Sequence, residues 1–296
     1  MRQTTIVFLL FIIGAAFASG SAWYDNKKVQ VGFKTSTNDL SGEGLVMVSH
    51  SDGLFNEMFS RVEQSSPGLK SLKPYTVFIH NTGKRPVIAF ALKWNFVRPN
   101  GQVETRTHQF VSNSSLIGRG TSDSDAGIIR PDATWLFTSE FGAEVDSPQA
   151  IQLGKQDRYL ARVGADLSNF MGVSVSLDGA IFDDGTFSGA DETGFFAKIV
   201  ALRDAHRDIM SDIAKKFKEG KSHKQILDEL ETLTKSPKVR LGKNSTSSDY
   251  YNYFRRDYVD ELLLMKKAAG PKRTLEYALE TQDKQWPTLK KANATK

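Results

Sequence analysis

Cysteine is missing from this chain altogether. That excludes a disulfide framework, a thiolate metal site and a cysteine nucleophile. The common catalytic signatures are missing too: the sequence has no G-x-S-x-G elbow, no H-E-x-x-H, no Walker A and no G-x-G-x-x-G. Gly242-Lys243-Asn244-Ser245 lacks the preceding glycine loop and follows no clear strand, so it does not read as a phosphate cradle. Histidine is sparse, and the five present (50, 80, 108, 206 and 223) show no spacing typical of a metal site. No charge sign dominates either: 39 Lys and Arg stand against 34 Asp and Glu, a formal net charge of +5. With 40% hydrophobic and 25% charged residues in 296, the composition is that of a globular protein rather than a disordered one.

Long apolar runs are confined to one place. Arg2 is followed by no charge until Asp25, and Ile6 to Phe17 is an unbroken apolar stretch. A helix of that length rises only about 18 Å, short of the roughly 30 Å hydrocarbon core of a bilayer. The small-x-small triplet Ala16-Phe17-Ala18 follows. A positive start, a short apolar core and such a triplet read as a secretory signal, residues 1–18, cleaved after Ala18. The alternative is an uncleaved N-terminal anchor. Export without any cysteine fits a bacterial periplasmic or extracellular protein, long enough to bury a core without disulfides.

From about 30 to 185 the pattern is that of strands and turns. Tyr75 to His80 is β-branched and aromatic and ends in the turn sequence Asn81-Thr82-Gly83-Lys84. Val87 to Phe96 follows, apolar on both faces at its start, then Pro99-Asn100-Gly101 and the alternating Val103 to Phe110. Asn-Gly between strand-like runs is a strong hairpin signal, so the three segments read as a meander. Further strands are expected at Leu45 to Val48, Thr134 to Thr138, Tyr159 to Val163 and Gly172 to Leu177, the last running on towards Phe182. A short helix is expected near Leu54 to Val62, and a polar loop at 112–126. Short strands with Gly, Pro and Asn breaks suggest an antiparallel β-sandwich of immunoglobulin-like type over 19–190.

After Asp191 the apolar period changes from two to about 3.6. Phe195, Ile199, Leu202, His206, Ile209, Ile213 and Phe217 form one helical stripe, with Asp191 expected as its N-cap and Gly220 as its stop. His206 falls on that stripe and reads as a packed residue. Ser222 and Gln225 form a capping box for a second helix carrying Ile226, Leu227 and Leu230. A third helix is expected from about Asp249 to Ala269, and Gly270-Pro271 breaks it from a fourth. The fold class is therefore α+β: a sandwich followed, over 191–296, by a bundle of three or four helices. Charge divides at the same boundary, with a net of −2 over 19–190 and +6 over 191–296.

Two segments carry candidate chemistry. Leu177 to Glu192 contains Asp178, Asp183, Asp184, Asp191 and Glu192 with three glycines between them. Hard cations such as Ca²⁺ take several oxygen ligands from a Gly-bearing loop, which makes Asp183, Asp184 and Asp191 candidate calcium ligands. The spacing is not that of an EF-hand, since Ala180 and Phe182 would occupy ligand positions one and three. The competing reading treats Asp178-Gly179 and Asp184-Gly185 as hairpin turns and Asp191 as a helix cap. Ser49-His50-Ser51-Asp52 sets triad-like groups side by side, but adjacent residues of a strand point to opposite faces. The run Ser176 to Asp191, with its core Ile181-Phe182-Asp183-Asp184-Gly185-Thr186-Phe187-x-Gly-x-Asp, resembles a segment of uncharacterised exported bacterial proteins. In those proteins a β-rich part, with a strand like Val87 to Trp94 after an Asn-x-Gly-Lys turn, precedes helices. The resemblance implies the architecture and the compartment and brings no activity.

The second segment is basic. Lys215, Lys216, Lys218, Lys221 and Lys224 cluster at the first helix–helix junction, a candidate contact for an anionic surface. Its competitor is a solvated helix face. The functional expectation is an exported, non-catalytic binding or structural module of the cell envelope or periplasm, with a protein or envelope partner and no nucleic acid. Membrane contact is expected only through an uncleaved N-terminus or a peripheral basic patch. The alternatives are a carboxylate-dependent hydrolase and an envelope-associated protein held by the basic helices.

Overall fold

Val87–Val97 (β4) is the strand around which the molecule is organised, and its sequence says why. Phe90, Leu92, Trp94 and Phe96 alternate onto one face, while Ala89 and Ala91 fall on the other. In the computed structural model the first set joins one hydrophobic core and the second set joins another. The structure describes residues 32–35, 40–50, 52–65, 67–112, 116, 127–145, 152, 156–235, 237–242, 244–280 and 287–292. All of them lie in one compact unit, Val31–Lys296. The expected signal segment, 1–18, and most of the 112–126 loop lie outside the described residues.

The fold is α+β with two mostly antiparallel sheets. One has the order β10-β9-β8-β4-β5, built from Val103–Val111 (β5), Gly172–Phe182 (β8), Thr186–Ser188 (β9) and Lys290–Lys291 (β10), with Gly32–Thr35 (β1) also paired to β8. The β1–β8 and β9–β10 pairings are parallel. The other sheet, β2-β3-β6-β7, comprises Leu45–Val48, Val77–Asn81, Thr134–Phe137 and Gly142–Glu144. The first core joins the two sheets: Phe90 and Phe110 meet Phe137 at ring-centroid separations of 5.1 and 4.8 Å. Gly53–Ser65 (α1) adds Phe55, Phe59 and Val62, spaced four and three apart, to that core.

The second core lies on the opposite face of β4. Ile88, Ala89, Ala91, Ile181 and Phe187 pack with Phe195, Ile199, Ile209 and Ile213 of Phe195–Lys218 (α3). Burial on both faces explains why β4 begins as a continuous apolar run. His206, 6% exposed, stacks on Tyr258 at 4.0 Å. Helix α3 ends as read: the N–H of Gly220 bonds to the Phe217 carbonyl and that of Lys221 to Lys216, a Schellman motif. His223–Thr232 (α4) starts at the Ser222–Gln225 capping box, with both reciprocal bonds made. Ser247–Glu280 (α5) is interrupted at Gly270, beside Pro271, as the Gly-Pro pair predicts.

Four sequence readings are corrected. Tyr159 to Val163 is not a strand but part of a helix, Asp157–Leu167 (α2), whose Leu160, Val163 and Leu167 are buried at helical spacing. The meander loses its first hairpin: β3 pairs with β2 and β6, and β4 with β5 and β8. The Asn81 turn forms, but its side chain bonds to Gly83, Arg85 and Ile129 while the chain crosses from one sheet to the other. Asp178-Gly179 is no hairpin turn, because β8 runs through it. Asp191 is not the N-cap of α3; Gly194 is, although the Asp191 carboxylate still accepts the Phe196 N–H at 2.9 Å.

Candidate functional site

The acidic segment folds as β8, a tight turn and β9. Opposite β4, Leu177 pairs with Leu92 and Gly179 with Ala91, so Asp178 is the extra residue of a β-bulge. The bulge reverses which alternate residues face the first core: Val173, Val175 and Leu177 before it, Ala180 and Phe182 after it. It also turns the Asp178 carboxylate, 3% exposed, towards the chain leading into α3. There it accepts the Glu192 N–H at 2.7 Å, the Thr193 N–H at 3.1 Å and the Thr193 hydroxyl at 2.5 Å. The Asp178 carbonyl accepts the Asp191 N–H at 2.9 Å. One residue thus ties the central strand to the start of the long helix. A side chain at Gly179 would overlap the Phe187 ring, which is why the bulge carries glycine.

Asp184, Asp191 and Glu192 are also taken up by the protein. Asp184 accepts the Thr186 N–H at 2.8 Å and pairs with Arg85 at 3.1 Å. Those contacts hold its carboxyl below the usual range against the opposing effect of partial burial. Gly185, at φ 78°, closes the turn, and its carbonyl accepts the Lys290 N–H at 3.0 Å. Asp191 pairs with Lys291 at 2.8 Å, and Glu192 with Lys93 at 2.5 Å. The Lys291 ammonium also lies over the Phe187 and Phe196 rings. Segment 287–292 therefore clips onto the acidic hairpin, and Arg203 anchors it by donating to the Pro287 carbonyl at 2.9 Å. The Arg85–Asp184 pair is partly solvated and is worth about 1 kcal/mol at most; the backbone bonds to buried Asp178 weigh more.

Asp183 is the least engaged of these carboxylates, with the Asp184 backbone and the charge of Arg85 acting on it. It sits on the exposed turn, and partial burial, with Asp184 beside it, pushes its carboxyl up. Half-buried Lys198, over the Tyr250 ring, is pushed down by burial while Asp178 and Asp191 oppose the shift. The three candidate calcium ligands thus have different surroundings: the turn backbone and a more distant Arg85 charge for Asp183, a direct Arg85 pair for Asp184, and Lys291 for Asp191. Among the described residues no group of three or more His, Cys, Asp or Glu is arranged to hold a metal ion. His50, in the triad-like run, hydrogen-bonds to the Lys73 carbonyl and lies against Phe55, and Asp52 accepts the Leu54 N–H at the start of α1.

The basic cluster divides into two groups. Lys216 pairs with Asp212 at 2.8 Å and Glu229 at 3.1 Å, and Lys221 pairs with Glu229 at 2.7 Å, so these two fasten α3 to α4. Lys215, Lys218 and Lys224 are exposed. Between α3 and the start of α5 lies an open cleft of about 440 Å³, floored by Phe196, Ala197 and Val200 and edged by Asp204, Ser248 and Tyr251. Tyr251 donates to Asp208 at 2.7 Å. Neither the acidic turn nor the basic cluster lines it. Among the described residues no helix is long and apolar enough to cross a membrane.

Comparison with known protein families, curated proteins and solved structures finds no match to this chain. Two features escaped the sequence reading. The clip formed by Lys290 and Lys291 depends on a pairing between distant residues and has no local signature. Arg106 lies over the Phe96 and Phe170 rings and reaches Glu104, Glu140 and Asp166 at 2.8, 2.9 and 3.0 Å. It joins β5, the β6–β7 turn and α2, which only the tertiary fold brings together.

Proposed function

We propose that the chain is an exported bacterial protein, periplasmic or extracellular, that acts as a non-catalytic binding or structural module of the cell envelope. The observation that carries this reading is the fate of the acidic segment. Asp178, Asp184, Asp191 and Glu192, the carboxylates a hydrolase would keep free, are bonded to the protein's own backbone and cations. The architecture in this reading is an immunoglobulin-like β-sandwich backed by a helical bundle. The aromatic core shared by the two sheets supports the sandwich, and the crossing at Asn81–Pro86 supports its immunoglobulin-like character. The α3, α4 and α5 residues of the second core support the bundle. A carboxylate-dependent hydrolase has one observation in its favour, the raised carboxyl of Asp183, but that group stands on an exposed turn outside the cleft. The basic helices are the part of this module that meets an anionic surface, with Lys215, Lys218 and Lys224 available for it.

Fractionation of a bacterium expressing the full chain tests the reading. The expected result is a protein beginning at Ser19 in the envelope or periplasmic fraction, with its envelope-bound portion released by high salt. An unprocessed chain in the cytoplasm would contradict export, and salt-resistant attachment would contradict an electrostatic hold.

A further inference from the structure

We propose that the turn between α3 and α4 is a membrane-docking tip: Phe217 enters the interface of an anionic lipid bilayer while Lys215, Lys218 and Lys224 contact the lipid phosphates. This rests on the reading that the basic helices meet an anionic surface, and it names that surface.

Residues 215–224 hold five lysines and a single acid, Glu219. Lys216 and Lys221 are held by Asp212 and Glu229, and the other three form no salt bridge among the described residues. Asp228, whose carboxyl Lys224 helps to hold down, is itself bonded to Lys266 at 2.8 Å. The tip therefore keeps a net positive charge. Phe217 ends the apolar stripe of α3, yet it is 45% exposed, with a ring contact to His223 at 5.4 Å. An anionic polymer would be met by the lysines alone. An exposed aromatic in a lysine-rich turn also matches the headgroup–acyl boundary, where the ring is buried and the ammonium groups meet phosphate. The Schellman motif on one side and the capping box on the other fix the turn in advance, so docking orders little new chain.

Because the chain has no cysteine, Phe217→Cys creates a single thiol for a polarity-sensitive nitrobenzoxadiazole label. Val103→Cys, on the exposed start of β5, is the control. The labelled full chains are titrated with phosphatidylcholine vesicles, with and without phosphatidylglycerol. The expected result is a blue shift and brightening at position 217 on the anionic vesicles only, reversed by salt and absent at position 103. Replacing Lys215, Lys218 and Lys224 with Gln should raise the lipid concentration for half the response by roughly a hundredfold, at about 1 kcal/mol per lysine. A label at 217 that stays in water while the chain sediments with anionic vesicles overturns the proposal, as does an equal response on neutral ones. Dextran sulfate separates the two levels of the claim. If it binds through these lysines while the 217 label is silent on vesicles, the anionic-surface reading stands and lipid insertion falls. If it does not bind either, both fall.

Discussion

Replacing Asp178 with Ala is expected to cost about 3–5 kcal/mol of stability, the largest loss from any single carboxylate in the acidic segment. The side chain is buried and accepts two backbone N–H groups and a hydroxyl from Glu192 and Thr193. Alanine leaves all three donors without their acceptor, in a loop held close to β8 by the Asp191 N–H. It also removes the link between the β8 bulge and the entry to α3, so the second core loosens at its sheet end. Asp178→Asn keeps one carbonyl acceptor and the shape, and should lose about 1–2 kcal/mol. Urea unfolding measures both, and amide exchange at Glu192 and Thr193 should accelerate in the alanine variant while α5 beyond Gly270 is unchanged. A loss below about 1 kcal/mol for Asp178→Ala would mean the loop is held by something else.

The second large effect is one of pH. His108 lies on β5 with its ring 4.1 Å from that of Phe110, its Nδ1 buried and, among the described residues, without a hydrogen-bond partner. Burial lowers its pKa from 6.5 to about 4, against the smaller opposing effect of a hydrogen bond to the Thr138 backbone. The unfolded chain therefore takes up this proton before the folded one does. The contribution of neutral His108 to stability is complete above about pH 6.5, declines as the pH falls, and is gone below about pH 4. The difference amounts to about 3 kcal/mol. Unfolding free energies of the wild type and His108→Gln at pH 7 and pH 4 test this, because carboxylates that lose stabilisation in acid act alike in both proteins. The wild type should lose about 3 kcal/mol more than the variant over that interval. Equal losses would show that the ring is reached by water or by a compensating acceptor.

Legibility differed from element to element for physical reasons. The stripe and C-terminus of α3 and the start of α4 were readable because period, glycine stop and capping box are local signals, and the structure reproduces the Gly220 motif and the Ser222–Gln225 box; the N-cap of α3 was misplaced at Asp191, three residues before Gly194. β4 was readable as a strand, and its two-sided burial was already visible in the run beginning at Val87. Its hairpin partner β5 was readable from Pro99-Asn100-Gly101, but β8 on its other side was not, and the Asn81 turn serves equally to close a hairpin or to pass between sheets. Asp178-Gly179 has the composition of a turn, and only the pairing with Ala91 and Leu92 makes it a bulge. Tyr159 to Val163 is too short for its period to be assigned without Leu167, the next buried residue of the same helix. In the basic cluster the count of lysines was visible, but the division between those that fasten α3 to α4 and those left exposed depended on Glu229, on the next helix.

The acidic hairpin between Leu177 and Glu192 is held by the protein's own backbone and cations and needs no metal ion. Thermal unfolding of the full chain and of Asp184→Ala, each with calcium and with chelator, tests this most directly. The expected result is a melting temperature that neither calcium nor chelator moves, with a small decrease in the variant that is the same in both conditions. A calcium-dependent rise in the wild type, equivalent to about 2.7 kcal/mol at a hundred times the dissociation constant and abolished by Asp184→Ala, would contradict it and make the hairpin a metal site.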